Sequence, residues 1–138
     1  MSARAAIASL LGTDSQMNML DIDETVIFAS NATDSPDRTR MFLVIRFEEA
    51  ARSFKGIGAS RVAIWFHVPK EKEQDYGKID LLMLRAKELM HSVEHRDGAD
   101  GWRLTAPTWD GDSGDLFDDG YNTLTRYSTY RCAVRNLD

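Results

Sequence analysis

The spacing of apolar residues changes character along this chain, and each change marks an element. Ala3, Ile7, Leu10 and Leu11 share one helical face, with Ser2 placed to cap the helix and Gly12 to stop it. Residues 13–40 are rich in Asp, Ser, Asn and Thr. Only Val26, Ile27 and Phe28 interrupt them, which predicts a short strand between two loops, the second carrying Pro36. Residues 41–47 are apolar on both faces, and after a break at Gly56 and Gly58 a second run occupies residues 61–68. There Val62, Ile64, Phe66 and Val68 alternate with Ala63, Trp65 and His67. Both runs predict strands of a central sheet, the second half-covered by a helix.

Pro69 closes that strand, and a charged stretch leads into the clearest periodicity of the chain. Ile79, Leu82, Met83, Ala86, Leu89, Met90 and Val93 recur at helical spacing, predicting a helix from Lys78 that Asp97 and Gly98 end. Residues 102–108 form a further short strand. Next, Asp110, Asp112, Asp115, Asp118 and Asp119 fall within ten residues, with no Lys or Arg between Arg103 and Arg126. Gly111, Gly114 and Gly120 offer positive-φ positions, so this segment is expected to be a shaped acidic loop. From Tyr121 onward, Thr123, Thr125, Tyr127, Thr129 and Tyr130 favour extended backbone. A strand over residues 121–135 would span roughly 50 Å, which calls for a bulge or a projection beyond the sheet. The predicted order is α-β-β-β-α-β-β: an α+β fold with a small mainly antiparallel or mixed sheet and two helices packed against it.

Composition narrows the function. At 138 residues and 43% hydrophobic, the chain is sized for one domain, residues 1–138. A net charge of −5 argues against gripping nucleic acid, which takes a basic face to displace counterions from phosphate. The lone Cys132 excludes an intrachain disulfide and a cysteine-cluster metal site, and its place beside Tyr130 and Val134 suggests a buried apolar role. No apolar run reaches the length of a spanning helix, and the N-terminus lacks the hydrophobic segment of a signal peptide. The expectation is a soluble intracellular protein without a membrane partner.

Candidate chemistry is sparse. His91, Glu94 and His95 spell H-x-x-E-H, which on a helix would put two imidazoles on zinc with a glutamate as base. No glutamate follows to complete the ligands, and histidines near a helix C-terminus complement its dipole. Asp110, Asp112 and Gly114 resemble the start of a calcium loop, but Asp115 stands where glycine is required and Tyr121 where a bidentate glutamate belongs. Neither phosphate-cradle nor nucleophile-elbow motifs occur. Trp65 reads as core, whereas Trp102 and Trp109 could anchor an interface. Arg126, Arg131 and Arg135 line the terminal strand, where they face solvent or meet the acidic loop of a neighbouring identical chain.

Several stretches carry a family likeness: FLVIRF at residues 42–47, VAIWFHVP at 62–69, DYGKID at 75–80, and above all WDGDSGDLFDDGYNTLTRYSTYR at 109–131. Together they resemble the tail terminator proteins of long-tailed actinobacterial phages, over residues 26–135. The resemblance implies a non-enzymatic virion protein without cofactor or metal. It implies a homo-oligomer, a hexameric ring, assembled in the host cytoplasm at the head-proximal end of the tail. Such a ring caps the tail tube protein, meets the head completion or stopper protein, and lets DNA pass through its lumen without specific binding. By matching position, Asp115, Leu116, Asp118, Asp119, Gly120 and Tyr121, with Thr125, Arg126 and Tyr127, carry the motif. With Asp110, Asp112 and Arg131, these are the candidate residues for ring assembly or tube contact. The alternatives are another neck component such as a stopper, and a zinc-dependent hydrolase using His91, Glu94 and His95.

Overall fold

The Thr- and Tyr-rich tail forms the strand around which the rest of the sheet is laid. In the computed structural model, which describes residues 3–28, 40–50, 57–70 and 76–138, this strand is β7, Thr123–Asn136. Branched and aromatic side chains favour its pleated backbone. One edge of β7 pairs antiparallel with β3, Ile57–Pro69, along the length of that strand. The other edge pairs with β5, Trp102–Asp112, and then with the short β6, Leu116–Asp118. Beyond β3 lie β2, Phe42–Ala50, antiparallel, and β1, Ile27–Phe28, parallel; β4, His95–Asp97, closes the far edge. The result is a seven-stranded mixed sheet ordered β1-β2-β3-β7-β5-β4, with β6 beside β7.

Alternation along the strands gives this sheet two faces. Leu43, Ile45, Val62, Ile64, Phe66, Val68, Tyr130 and Val134 turn to one side and are fully buried. Against them pack α1, Arg4–Gly12, and α3, Gly77–His91, whose Ile79, Leu82, Met83, Ala86 and Met90 match the helical period. A short helix, α2, Ser15–Met19, follows α1, with the Asp14 side chain accepting from the Met17 amide. Arg85 of α3 reaches back to Asp14 at 2.7 Å and ties the two helices together; that hydrogen bond holds the Asp14 carboxyl below its usual range.

The α+β class agrees with the sequence, but the element order and helix count do not. The described residues hold α2, a 3-10 turn at Glu24–Val26, β4 and β6 in addition, all too short for periodicity to reveal. The expected acidic loop is largely strand: β5 runs through Asp110 to Asp112, and β6 resumes at Leu116. Cross-strand hydrogen bonds to β7 outweigh the turn preference of its glycines. Gly111, Gly114 and Gly120 do not adopt positive φ; the turn into β7 takes its left-handed residue at Asn122, φ 55°. The irregularity expected of the long strand falls on its partner β5, whose register shifts between Thr105 and Thr108, around Ala106 at φ 44°, and again between Trp109 and Gly111. The helix expected to run to Asp97 ends at His91. Gly12 serves close approach rather than a left-handed stop, since a Cβ there would lie 2.8 Å from the Glu24 backbone nitrogen. β3 begins at Ile57 and absorbs Gly58. The Ser2 cap, the Pro36 loop and Gly56 lie outside the described residues.

Candidate assembly surface

Because β5 and β6 run along the edge of β7, the acidic segment and the arginine strand are neighbours in one sheet. Asp110, displaced at the second bulge, lies 3.3 Å from Arg61 and 3.4 Å from Arg131. Asp112 accepts from Ser128 Oγ at 2.7 Å and Trp109 Nε1 at 2.9 Å, and Lys87 of α3 stands 3.7 Å away. Lys87 also lies over the Trp109 ring, 4.1 Å from its centroid. Arg126 pairs with Asp80 of α3 and, at 3.5 Å, with Asp115, while donating to the Ser113 carbonyl. The charges of Arg126 and Arg131 are thus met within the chain, whereas the sequence had left them facing solvent or a neighbour's acidic loop. Sequence reading had missed Arg61, Asp80 and Lys87 as the partners. In a segment free of Lys and Arg in sequence, Asp110, Asp112 and Asp115 are met by cations from three other elements, β3, α3 and β7.

The remaining candidates divide by exposure. Asp118 accepts from the Tyr121 amide at 2.9 Å and so shapes the turn. Asp119 is exposed and makes no ion pair among the described residues. Leu116 and Phe117 on β6 are 39% and 44% exposed, unusual for large apolar side chains on a strand. The Leu116 carbonyl on the outer edge of β6 accepts from the Tyr76 hydroxyl at 2.7 Å. Tyr121 is half-buried, edge-on to Phe42 and His67 at 5.3 and 5.5 Å. Tyr127 lies against Trp65 at 4.5 Å, and Trp65 is half-buried rather than fully core.

Tyr121, Tyr127 and Trp65 belong to the sheet face opposite the helices. At its centre His67 stacks on Phe42 at 4.5 Å and shares a 2.8 Å hydrogen bond through Nδ1 with Thr123 Oγ1. Burial pushes His67 from 6.5 down to about 4, with the charge of Asp118 acting weakly the other way. Burial likewise pushes the Cys132 thiol from 9.0 up to about 12, which keeps it protonated and unreactive.

Neither metal motif has the geometry its chemistry requires. His91 ends α3 and its Nε2 accepts from the Trp109 amide at 3.4 Å, whereas His95 opens β4. The single helical face that would bring them onto one zinc does not form. The calcium-like aspartates Asp110 and Asp112 sit in a strand and are engaged by arginine, lysine, serine and tryptophan. Among the described residues, no group of three or more His, Cys, Asp or Glu is placed to hold a metal ion. Nor is any helix there long and apolar enough to cross a membrane.

No protein-family model matches the chain, and no curated protein matches it in sequence. Its fold is similar to that of a chain in a solved structure described as "Virion of native gene transfer agent (GTA) particle". The superposition has a TM-score of 0.71 at 11% identity and covers 96% of this chain and 93% of that one. At this identity the likeness is one of fold.

Proposed function

We propose that this chain is a structural virion protein that forms a ring on the head-proximal end of a phage tail tube. There it stops tube growth and joins the tail to the neck. The observation that carries this reading is the fold shared, over nearly the full length of both chains, with a chain of a gene transfer agent virion. The terminator-like motif from Asp115 to Tyr127 supports it. Within the ring, the exposed turn at Asp119 and Gly120 and the apolar edge formed by Leu116 and Phe117 provide the contact to the tube protein or the next subunit. Asp110, Asp112, Asp115, Asp118, Tyr121, Arg126, Tyr127 and Arg131 hold that surface in shape. The chain performs no catalysis and needs no cofactor; its partners are its own copies, the tube protein and the head completion protein. DNA passes the acidic protein without being retained.

The test is the solution mass of the purified protein by light scattering, alone and with tail tubes, together with imaging of the tube ends. A discrete ring, or a monomer that assembles only on tube ends, is the expected result, and Leu116→Arg should lower end occupancy. A monomer indifferent to tubes would overturn the reading. A subunit found against the portal instead would make it a different neck component.

A further inference from the structure

Two pairs of arginines face each other directly across β7 on its helix-free face. Arg61 of β3 is in register with Arg131, and Arg103 of β5 is in register with Arg135. Like charges directly opposite in a sheet repel. The first pair is resolved inside the chain, because the Asp110 carboxylate sits between the two guanidiniums at 3.3 and 3.4 Å. Among the described residues the second pair has no such bridge. Asp97 binds Arg103 bidentately at 2.6 and 3.1 Å, and Asp100 is occupied by the Trp102 amide at 3.2 Å. Arg135, exposed, has no carboxylate partner among the described residues. Between these arginines opens a cleft of about 270 Å³ lined by His95, Arg103, Thr105, Ala133 and Arg135. Its described lining thus offers guanidinium, imidazole and hydroxyl donors, and the nearby Asp97 carboxylate is taken by Arg103.

We infer that this cleft is a carboxylate-binding site whose occupant is the acidic turn at Asp119 of a second copy of this chain. Charge complementarity and position argue for that occupant. The chain carries a net charge of −5, so its open basic cleft is a local exception. The turn around Asp119, by contrast, is exposed, and its carboxylate makes no ion pair among the described residues. The cleft and the turn lie at opposite ends of β7. Asp118 is in register with Thr123, and the twelve residues from there to Arg135 span about 40 Å at about 3.3 Å each. A chain therefore cannot fill its own cleft with its own turn. A contact joining opposite ends of identical subunits is heterologous, and it propagates until rotation closes a ring. This rests on the proposal that the protein assembles with its own copies, and it adds which surfaces meet.

The experiment is a charge exchange in the full chain, with self-association measured by sedimentation both alone and on tail tubes. Arg135→Glu and Asp119→Arg should each weaken association about tenfold or more. The double variant, which restores opposite charges across the contact, should recover most of the loss. Both sites are exposed, and far-ultraviolet circular dichroism checks that the variants fold. If the single variants associate like the wild type, or the double variant is no better than either, this contact is wrong while the assembly reading stands. If the wild type associates under neither condition, both fall. A short DNA duplex is titrated in parallel; loss of duplex binding in Arg135→Glu without loss of association would assign the cleft to phosphate and overturn the inference.

Discussion

The two faces of the central sheet are built from the same strands by different physics. Toward the helices, β3 presents Val62, Ile64, Phe66 and Val68, all with no exposed surface, to the apolar stripe of α3. Away from them, the same strand presents Arg61, Trp65 and His67, whose cross-strand partners on β7 are Arg131, Tyr127 and Thr125. The first face gains stability from volume: close-packed aliphatic side chains whose loss opens a cavity. The second gains it from pairings that depend on protonation and salt: a stacked imidazole, hydroxyl bonds and carboxylate-bridged arginines. A sheet with such a second face keeps a surface that can be rewritten for contact with little disturbance of its core.

Ile64→Ala should break the first face outright. Ile64 is fully buried at mid-sheet, and its truncation should cost about 3 kcal/mol in urea denaturation. Thr129→Val on the opposite face is the matched control. It removes only the hydroxyl that donates to the Gly111 carbonyl at 3.2 Å and should cost about 1 kcal/mol. Equal losses at the two positions would mean that the faces do not differ in kind.

The next largest effect separates the faces by pH. His67 titrates at about 4 when folded against 6.5 unfolded, so the unfolded chain takes up the proton first as pH falls. The stability that the neutral buried imidazole provides is complete above 6.5, declines below it, and is gone near 4. Between pH 7.5 and 5 this amounts to about 2 kcal/mol. His67→Phe keeps the ring against Phe42 and should flatten that part of the stability profile. A wild-type urea midpoint that does not move over this interval would remove His67 from the account.

The helix-facing side was legible in the sequence because one physical signal dominates it. The period of Ile79, Leu82, Met83, Ala86 and Met90, and the alternation of Val62, Ile64, Phe66 and Val68, are direct images of which side meets the core. The other side was misread for a matching reason. Asp110 and Asp112 look like loop residues because charge and glycine count locally as breakers, yet their partners Arg61, Lys87 and Ser128 lie 16 to 49 residues away. Nothing local reports pairing of that range. The H-x-x-E-H motif failed on a boundary: a helix ending at His91, not a few residues later, puts His95 into β4. Of the candidate surface, the acidic turn was legible as exposed charge and Leu116 only through its place in the terminator-like motif, while the basic cleft was not legible, because it needs the register of Arg103 with Arg135.

The smallest effects are the sharpest test of the second face, because they should differ in sign. Asp110→Asn leaves Arg61 and Arg131 facing each other without their bridge. At low salt the isolated chain should lose stability, by less than about 1 kcal/mol for partly exposed pairs, and the loss should shrink in high salt as the repulsion is screened. Arg135→Gln should do the opposite in the isolated chain. It removes one member of an unbridged pair, so the urea midpoint should rise slightly at low salt and return to the wild-type value at high salt. If Arg135→Gln destabilises the isolated chain as Asp110→Asn does, then Arg135 is already satisfied within the subunit, and the cleft holds no charge for a partner to meet. A rise at low salt means instead that the fold tolerates a like-charge pair at the end of β7, a tension relieved only when a carboxylate arrives from outside the chain.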